Sequence, residues 1–146
     1  MFNVKKLAFG AALLAASAVC FAAPKVEIVT SEGNIVVKLN EKAAPTTVAN
    51  FVKYANEGFY NGTIFHRVIN NFMIQGGGFD RNLHQKSTHA PIKLEDKNGL
   101  KNIVGTIAMA RTNNPDSATS QFFINLKDND FLNGTSTKDG YAVFGE

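Results

Sequence analysis

The chain has 146 residues, the size of one domain of roughly 100–150 residues. Its apolar fraction of 45% is ordinary for a globular protein, and twelve Phe with no Trp point to a core of flat rings. The formal charge is +3, and Lys5 and Lys6 fall in a leader-like start, which leaves 13 basic against 12 acidic residues, or +1, for the rest. That balance and the lack of a basic stripe exclude a nucleic-acid binder.

Residues 1–22 read as a cleavable signal peptide. Lys5 and Lys6 form the charged start, Leu7 to Phe21 is an apolar run broken only by Gly10 and Ser17, and small residues follow at Ala22 and Ala23. The run is short for a spanning helix, which needs roughly 20 apolar residues, so no membrane contact is expected once the leader is removed. Pro24 would hinder a peptidase, so the cut is placed after Ala22 and the domain is 23–146. Cys20, the only cysteine, leaves with the leader. The expected location is periplasmic or secreted.

Val26–Thr30 and Ile35–Leu39 are β-rich runs around Ser31-Glu32-Gly33-Asn34 and predict a hairpin. Pro45 suits a first helical turn, and Val48, Phe51, Val52 and Ala55 recur at helical spacing, so a helix is predicted from Pro45 to Asn56 and stopped by Gly58. Short strands follow near Ile64–Val68, Phe72–Gln75, Gly105–Ala110, Phe122–Asn125 and Ala142–Phe144. The polar stretch Asp80–Asn102 reads as an ordered loop with one embedded strand. Many short strands and one clear helix predict a mainly-β closed barrel with helical caps.

The segment from Phe65 to Gly78 is the richest in chemistry. Arg67 and Gln75 lie among Phe65, Phe72 and Met73. Alternate strand residues share a face, so Arg67 points away from His66, and Gln75 shares a side with Met73. Such a patch can hold an apolar ring under a cationic donor. His66 reads as a hydrogen-bonded structural histidine. His84 and His89 lie in a polar loop without metal-ligand spacing, and neither metal nor cofactor is expected. Gly76-Gly77-Gly78 lacks the Lys-Ser/Thr of a phosphate cradle and reads as a turn where backbone passes closely. Asn61-Gly62-Thr63 and Asn133-Gly134-Thr135 fit the glycosylation pattern, but Asn-Gly is read as a turn in both.

Phe65-His66-Arg67-Val68, Phe72-Met73-Ile74-Gln75-Gly76-Gly77-Gly78-Phe79, Gly105-Thr106-Ile107-Ala108-Met109-Ala110, Ser120-Gln121-Phe122-Phe123-Ile124 and Val143-Phe144-Gly145 together resemble the cyclophilin peptidyl-prolyl isomerases, most of all secreted bacterial members. The resemblance runs from about Val26 to Glu146. It implies an eight-stranded antiparallel barrel capped by two helices, here lacking the C-terminal helix and closing strand, and so prone to poor stability or association. A full-length form would be expected to be a monomer.

The resemblance also implies roles. Arg67 and Gln75 are the expected catalytic pair, with Gln75 steering Arg67. Phe72, Met73, Phe123 and Leu132 resemble the walls of a proline pocket, and Gln121 matches a groove position. Ala110 and the backbone of Arg111 resemble the ledge that pairs with the residue before proline. Phe131 replaces a tryptophan common in eukaryotic members, which implies weak or no cyclosporin binding. Tyr141 replaces a common histidine and is expected to line the groove, with Thr135–Gly140 shaping one end. Partners would be unfolded or exported proline-containing polypeptides. The rival readings are a proline-peptide-binding chaperone module and an inactive fragment.

Overall fold

A computed structural model describes residues 22–146. The leader expected over 1–22 therefore lies, apart from Ala22, outside the described residues. The hairpin of β1 (Lys25–Thr30) and β2 (Gly33–Lys38) forms as expected, with Thr30 paired to Gly33 and Gly33 at a φ of 125°. Helix α1 (Pro45–Asn56) has the predicted bounds, with Pro at its first turn. No side chain of its own caps it. Instead Glu95, far along the chain, accepts from the Thr47 backbone N–H at 2.7 Å, the Thr47 hydroxyl at 2.6 Å and the Thr46 N–H at 3.3 Å. A carboxylate there satisfies orphan donors and meets the positive end of the helix dipole. At the far end Gly58 turns the chain at a φ of 72°, and its N–H reaches the Ala55 carbonyl. The buried stripe is Thr47, Val48, Phe51 and Tyr54, so Tyr54 takes the place expected of Ala55.

The remaining strands are β3 (Thr63–Ile69), β4 (Met73–Asp80), β5 (Ile107–Met109), β6 (Phe122–Asn125) and β7 (Val143–Gly145). They form one antiparallel sheet in the order β3-β4-β6-β5-β7. The hairpin joins it at a bridge between Leu39 and Gly145, reinforced by hydrogen bonds between Lys38 and Glu146 in both directions. The result is a mainly-β fold with antiparallel sheets and one α-helix among the described residues. Strand β1 at one end of this arrangement and β3 at the other flank a groove of about 830 Å³ lined by Val26, Ile28 and Phe65. A closed eight-stranded barrel is not traced by these seven strands.

Two local expectations are corrected. Beyond Asp80, where β4 ends, the stretch to Asn102 holds no embedded strand, only the single bridges Phe79–Gln85 and Ile92–Ala118. The three glycines do not make a turn, because β4 continues through them to Asp80. The expected close approach is nonetheless real. A Cβ at Gly76 would lie 2.9 Å from the Ile64 carbonyl oxygen, and one at Gly77 would lie 2.8 Å from the Phe122 ring.

Candidate active site

Adjacent strand residues face opposite ways, and this alternation divides the apolar residues into two clusters. Phe122, Ile107, Met109 and Phe144 turn to the interior, where Val48 and Phe51 of α1 cover them. Their neighbours Phe123, Ala108 and Val143 turn to the other face and meet Met73 and Leu132. The second cluster is the floor of the site.

Strand register places its key residues in one row. Arg67 is paired with Gln75, Gln75 with Phe123, Phe123 with Ala108, and Ala108 with Val143. Directly opposed residues have Cβ atoms about 4.5–5.5 Å apart, so the row is a continuous line of neighbouring side chains.

Arg67 reaches this face because β3 is irregular. Phe65 pairs with Gly76 and Arg67 with Gln75, so two steps on β3 oppose one on β4, with His66 as the extra residue. Such a bulge reverses the facing of the residues beyond it. Phe65 therefore packs inward, 5.9 Å from the Phe122 ring centre, while Arg67 turns to the outer face. The expected grouping of Phe65 with the Arg67 patch is thus corrected. The expectation for His66 is corrected as well. Its Nδ1 is buried without a hydrogen-bond partner, and its ring lies 4.5 Å from that of Phe79. Burial, and secondarily the Arg67 charge, holds its pKa below the usual histidine range.

Arg67, Phe72, Met73, Gln75, Ala110, Arg111, Phe123, Leu132 and Tyr141 surround a depression of about 200 Å³. That is small beside the roughly 300–1,000 Å³ of drug-sized sites, and it suits a single ring. The larger groove between β1 and β3 is lined by interior residues such as Phe51 and Phe122 and lacks this meeting of a cation, an amide and apolar walls. Of the eleven expected site residues, nine line the depression. Phe131 lies outside it, 60% exposed and stacked on Phe72 at 5.7 Å, as an outward extension of the wall. Gln121 also lies outside and touches the site through Gln75.

The polar groups form a directed chain. Arg67 Nη1 donates to Gln75 Oε1 at 3.3 Å, and Gln75 Nε2 donates to Gln121 Oε1 at 2.9 Å. Arginine only donates, so the Gln75 amide must turn its oxygen toward Arg67 and its nitrogen toward Gln121.

The two ledge residues are tied to their neighbours. The Ala110 N–H is already committed to the Gln121 carbonyl at 3.0 Å. The Arg111 side chain donates to the carbonyl oxygens of Gly140 at 2.8 Å and Thr112 at 2.8 Å, and its guanidinium lies 4.5 Å from the Tyr141 ring centre. Arg111 thus fastens the 135–140 loop and backs Tyr141 through a cation–π contact. Asp96 holds the same loop by accepting from the Gly140 N–H at 2.7 Å.

Sequence reasoning missed the support behind the walls. Asn129 donates to the Phe72 carbonyl at 3.0 Å and to Asn125 Oδ1 at 2.8 Å. Asn125 donates to Asn102 Oδ1 at 3.1 Å and to Thr106 Oγ1 at 3.0 Å. Asn102 donates to the carbonyls of Leu132 at 3.2 Å and Tyr141 at 3.3 Å. These three buried amides grip the backbone of three wall residues. Asparagine is also a common turn residue, so its letter alone carried no signal of burial.

The model of the family described as cyclophilin type peptidyl-prolyl cis-trans isomerase/CLD matches residues 25–146. A peptidyl-prolyl cis-trans isomerase of Acinetobacter baylyi is 57% identical over 143 residues, covering 98% of this chain and 76% of that protein. Peptidyl-prolyl cis-trans isomerase B of Escherichia coli is 62% identical over 120 residues, covering 80% of this chain and 73% of its own. Among solved structures, a cyclophilin type isomerase of Cryptosporidium parvum, crystallised in the presence of the dipeptide Ala-Pro, superposes with a TM-score of 0.70 at 28% identity, over 84% of this chain and 77% of that one. With its row of Arg67, Gln75 and Phe123 on the outer sheet face, the chain belongs to the cyclophilin-type peptidyl-prolyl cis-trans isomerases.

Proposed function

We propose that this isomerase works by holding a prolyl ring in the 200 Å³ depression and placing the Arg67 guanidinium against the prolyl nitrogen. Rotation about a peptide bond faces a barrier of about 18–20 kcal/mol because the nitrogen lone pair is conjugated with the carbonyl. At the twisted midpoint that conjugation is lost and the lone pair becomes an acceptor. A guanidinium aimed there binds the twisted state better than either planar isomer, and only such a difference speeds the step. No proton leaves and no covalent bond forms. Gln75 fixes one edge of the guanidinium, and Met73, Phe123 and Leu132 supply the apolar floor. The observation that carries this reading is the pairing of Arg67 and Gln75 at the rim of a cavity sized for one ring.

Proline-containing polypeptides, unfolded or exported, are the proposed substrates, and the Ala-Pro dipeptide of the Cryptosporidium parvum crystal supports the substrate class. Export to the periplasm or beyond is proposed from Lys5, Lys6 and the apolar run that follows. The eight-stranded closure is part of the same proposal. The apolar groove between β1 and β3, lined by Val26, Ile28 and Phe65, supports that reading.

The test is NMR exchange spectroscopy on a short Ala-Pro peptide with the purified chain. Faster exchange than in the peptide alone is expected. Binding without acceleration would select a peptide-binding module, and neither would select an inactive fragment.

A further inference from the structure

We infer that the Arg111 side chain is a positioning residue for the isomerisation, and that it sets the fit of the depression to the prolyl ring by holding the Tyr141 wall. The inference rests on the reading above that the ring sits in that depression.

Tyr141 reaches the site from a loop and not from a strand. Strands β5 and β7 pair through Ala108 and Val143, and a further backbone bond runs from the Met109 N–H to the Ala142 carbonyl at 3.0 Å. Beyond that rung the Ala110 N–H turns away to the Gln121 carbonyl. The Arg111 side chain takes over the tie between the two segments. Its Nε and Nη2 donate to the Gly140 carbonyl at 3.1 Å and 2.8 Å, and Nη2 also reaches the Asp139 carbonyl at 3.4 Å. Nη1 donates to the Thr112 carbonyl at 2.8 Å, and the guanidinium carbon lies 4.5 Å from the Tyr141 ring centre. Tyr141 is thereby held both at the peptide that precedes it and at its ring.

Arginine suits this place because its planar fork can put two donors on one carbonyl and a third on another while its charge meets a ring. The tie governs more than Tyr141. A Cβ on Gly140 would lie 2.5 Å from the Asn133 carbonyl carbon and 2.6 Å from the Leu132 carbonyl oxygen, so the two ends of the loop touch backbone to backbone. The Tyr141 N–H closes the loop on the Leu132 carbonyl at 2.9 Å. A displaced Gly140 therefore disturbs the side of the depression that Leu132 and Tyr141 form. Those walls meet the ring alike in its planar and twisted states. Loosening them raises KM, while kcat, which depends on Arg67, changes little.

Exchange rates are measured by NMR over a range of concentration with two peptides. One is Ala-Pro, and in the other pipecolic acid, whose ring is one methylene larger, replaces proline. The variants are Arg111→Ala, Arg111→Lys, Tyr141→Ala and the double variant Arg111→Ala/Tyr141→Ala, with thermal melts as a fold control. Arg111→Ala is expected to raise KM for Ala-Pro by about 3- to 10-fold, the range set by one hydrogen bond. Its discrimination between the two rings should fall, because a loosened wall no longer favours the smaller one. Arg111→Lys keeps the charge without the fork and should move both readings the same way, and it decides the matter if Arg111→Ala does not fold. The double variant should be no worse than Tyr141→Ala. A mere fold defect would slow both peptides alike through loss of active protein and leave KM and ring discrimination unchanged. That result overturns the inference, as do Arg111 variants that match the parent, or losses that multiply in the double variant. The Met73 methyl signal of the parent should shift when Ala-Pro is added. A shift with unaffected Arg111 variants overturns this inference alone, and no shift overturns the ring placement as well.

Discussion

Phe65 and Arg67 stand two residues apart on β3, yet one packs in the interior against Phe122 and the other lines the outer depression. The bulge at His66 produces this division. Replacing Phe65 should therefore affect stability and leave the chemistry alone. Phe65→Leu is expected to lower stability by about 1 kcal/mol, as apolar swaps of similar size do, with kcat/KM unchanged. Denaturant unfolding and the peptide-exchange assay check this. A raised KM would return Phe65 to the pocket.

Asn129 links the Phe72 carbonyl to Asn125, and both lose a donor in Asn129→Ala. A buried acceptor left unsatisfied costs about 1–3 kcal/mol. We expect a loss in that range by denaturant unfolding, chiefly from Asn125 Oδ1, accompanied by a higher KM because the Phe72 carbonyl then keeps only the Leu126 N–H. A variant as stable as the parent would show that the amide network does not support the wall.

The buried imidazole nitrogen of His66 makes stability depend on pH. Its folded pKa is below the usual histidine value, so in the interval between the two the unfolded chain binds more protons than the folded one. The His66 contribution is complete above about pH 6.5 and is lost as pH falls through the folded pKa. Asp80, held low chiefly by the His84 backbone N–H, loses its contribution only in more acid solution. His66→Phe should therefore lose less stability than the parent between about pH 7.5 and about pH 5. Thermal melts at the two values decide the matter, and parallel losses would contradict it.

Phe131 is exposed and stacked on Phe72. It keeps an apolar wall but has no N–H to donate. Phe131→Trp restores such a donor and should tighten cyclosporin binding by about 3- to 10-fold, the effect of one hydrogen bond, while the exchange rate changes little. Calorimetric titration of both forms checks this, and tight binding by the parent would contradict it.

Much of this was legible in the chain. Pro45 and Gly58 marked the ends of α1, and the family resemblance put Phe123 in the pocket wall. Nine of the eleven expected site residues meet around one depression. The features that escaped were non-local. Regular alternation put Phe65 beside Arg67, and one inserted residue overturned that. The cap on α1 comes from Glu95, a residue nearly fifty positions away, and no local motif announces it. The glycine run read as a turn because glycine commonly marks one, whereas here each missing side chain makes room for a different neighbour.

The central claim is that a cation over an apolar floor lowers the rotation barrier. Its most direct test is the rate of cis–trans exchange in an Ala-Pro peptide, measured by NMR with the parent chain and with Arg67→Ala at equal concentration. Removing one donor aimed at a developing acceptor commonly costs about 10²- to 10³-fold in kcat. A loss of that order is expected, with peptide binding largely retained because Phe123, Met73 and Leu132 are untouched. Equal acceleration by the two proteins would contradict the account.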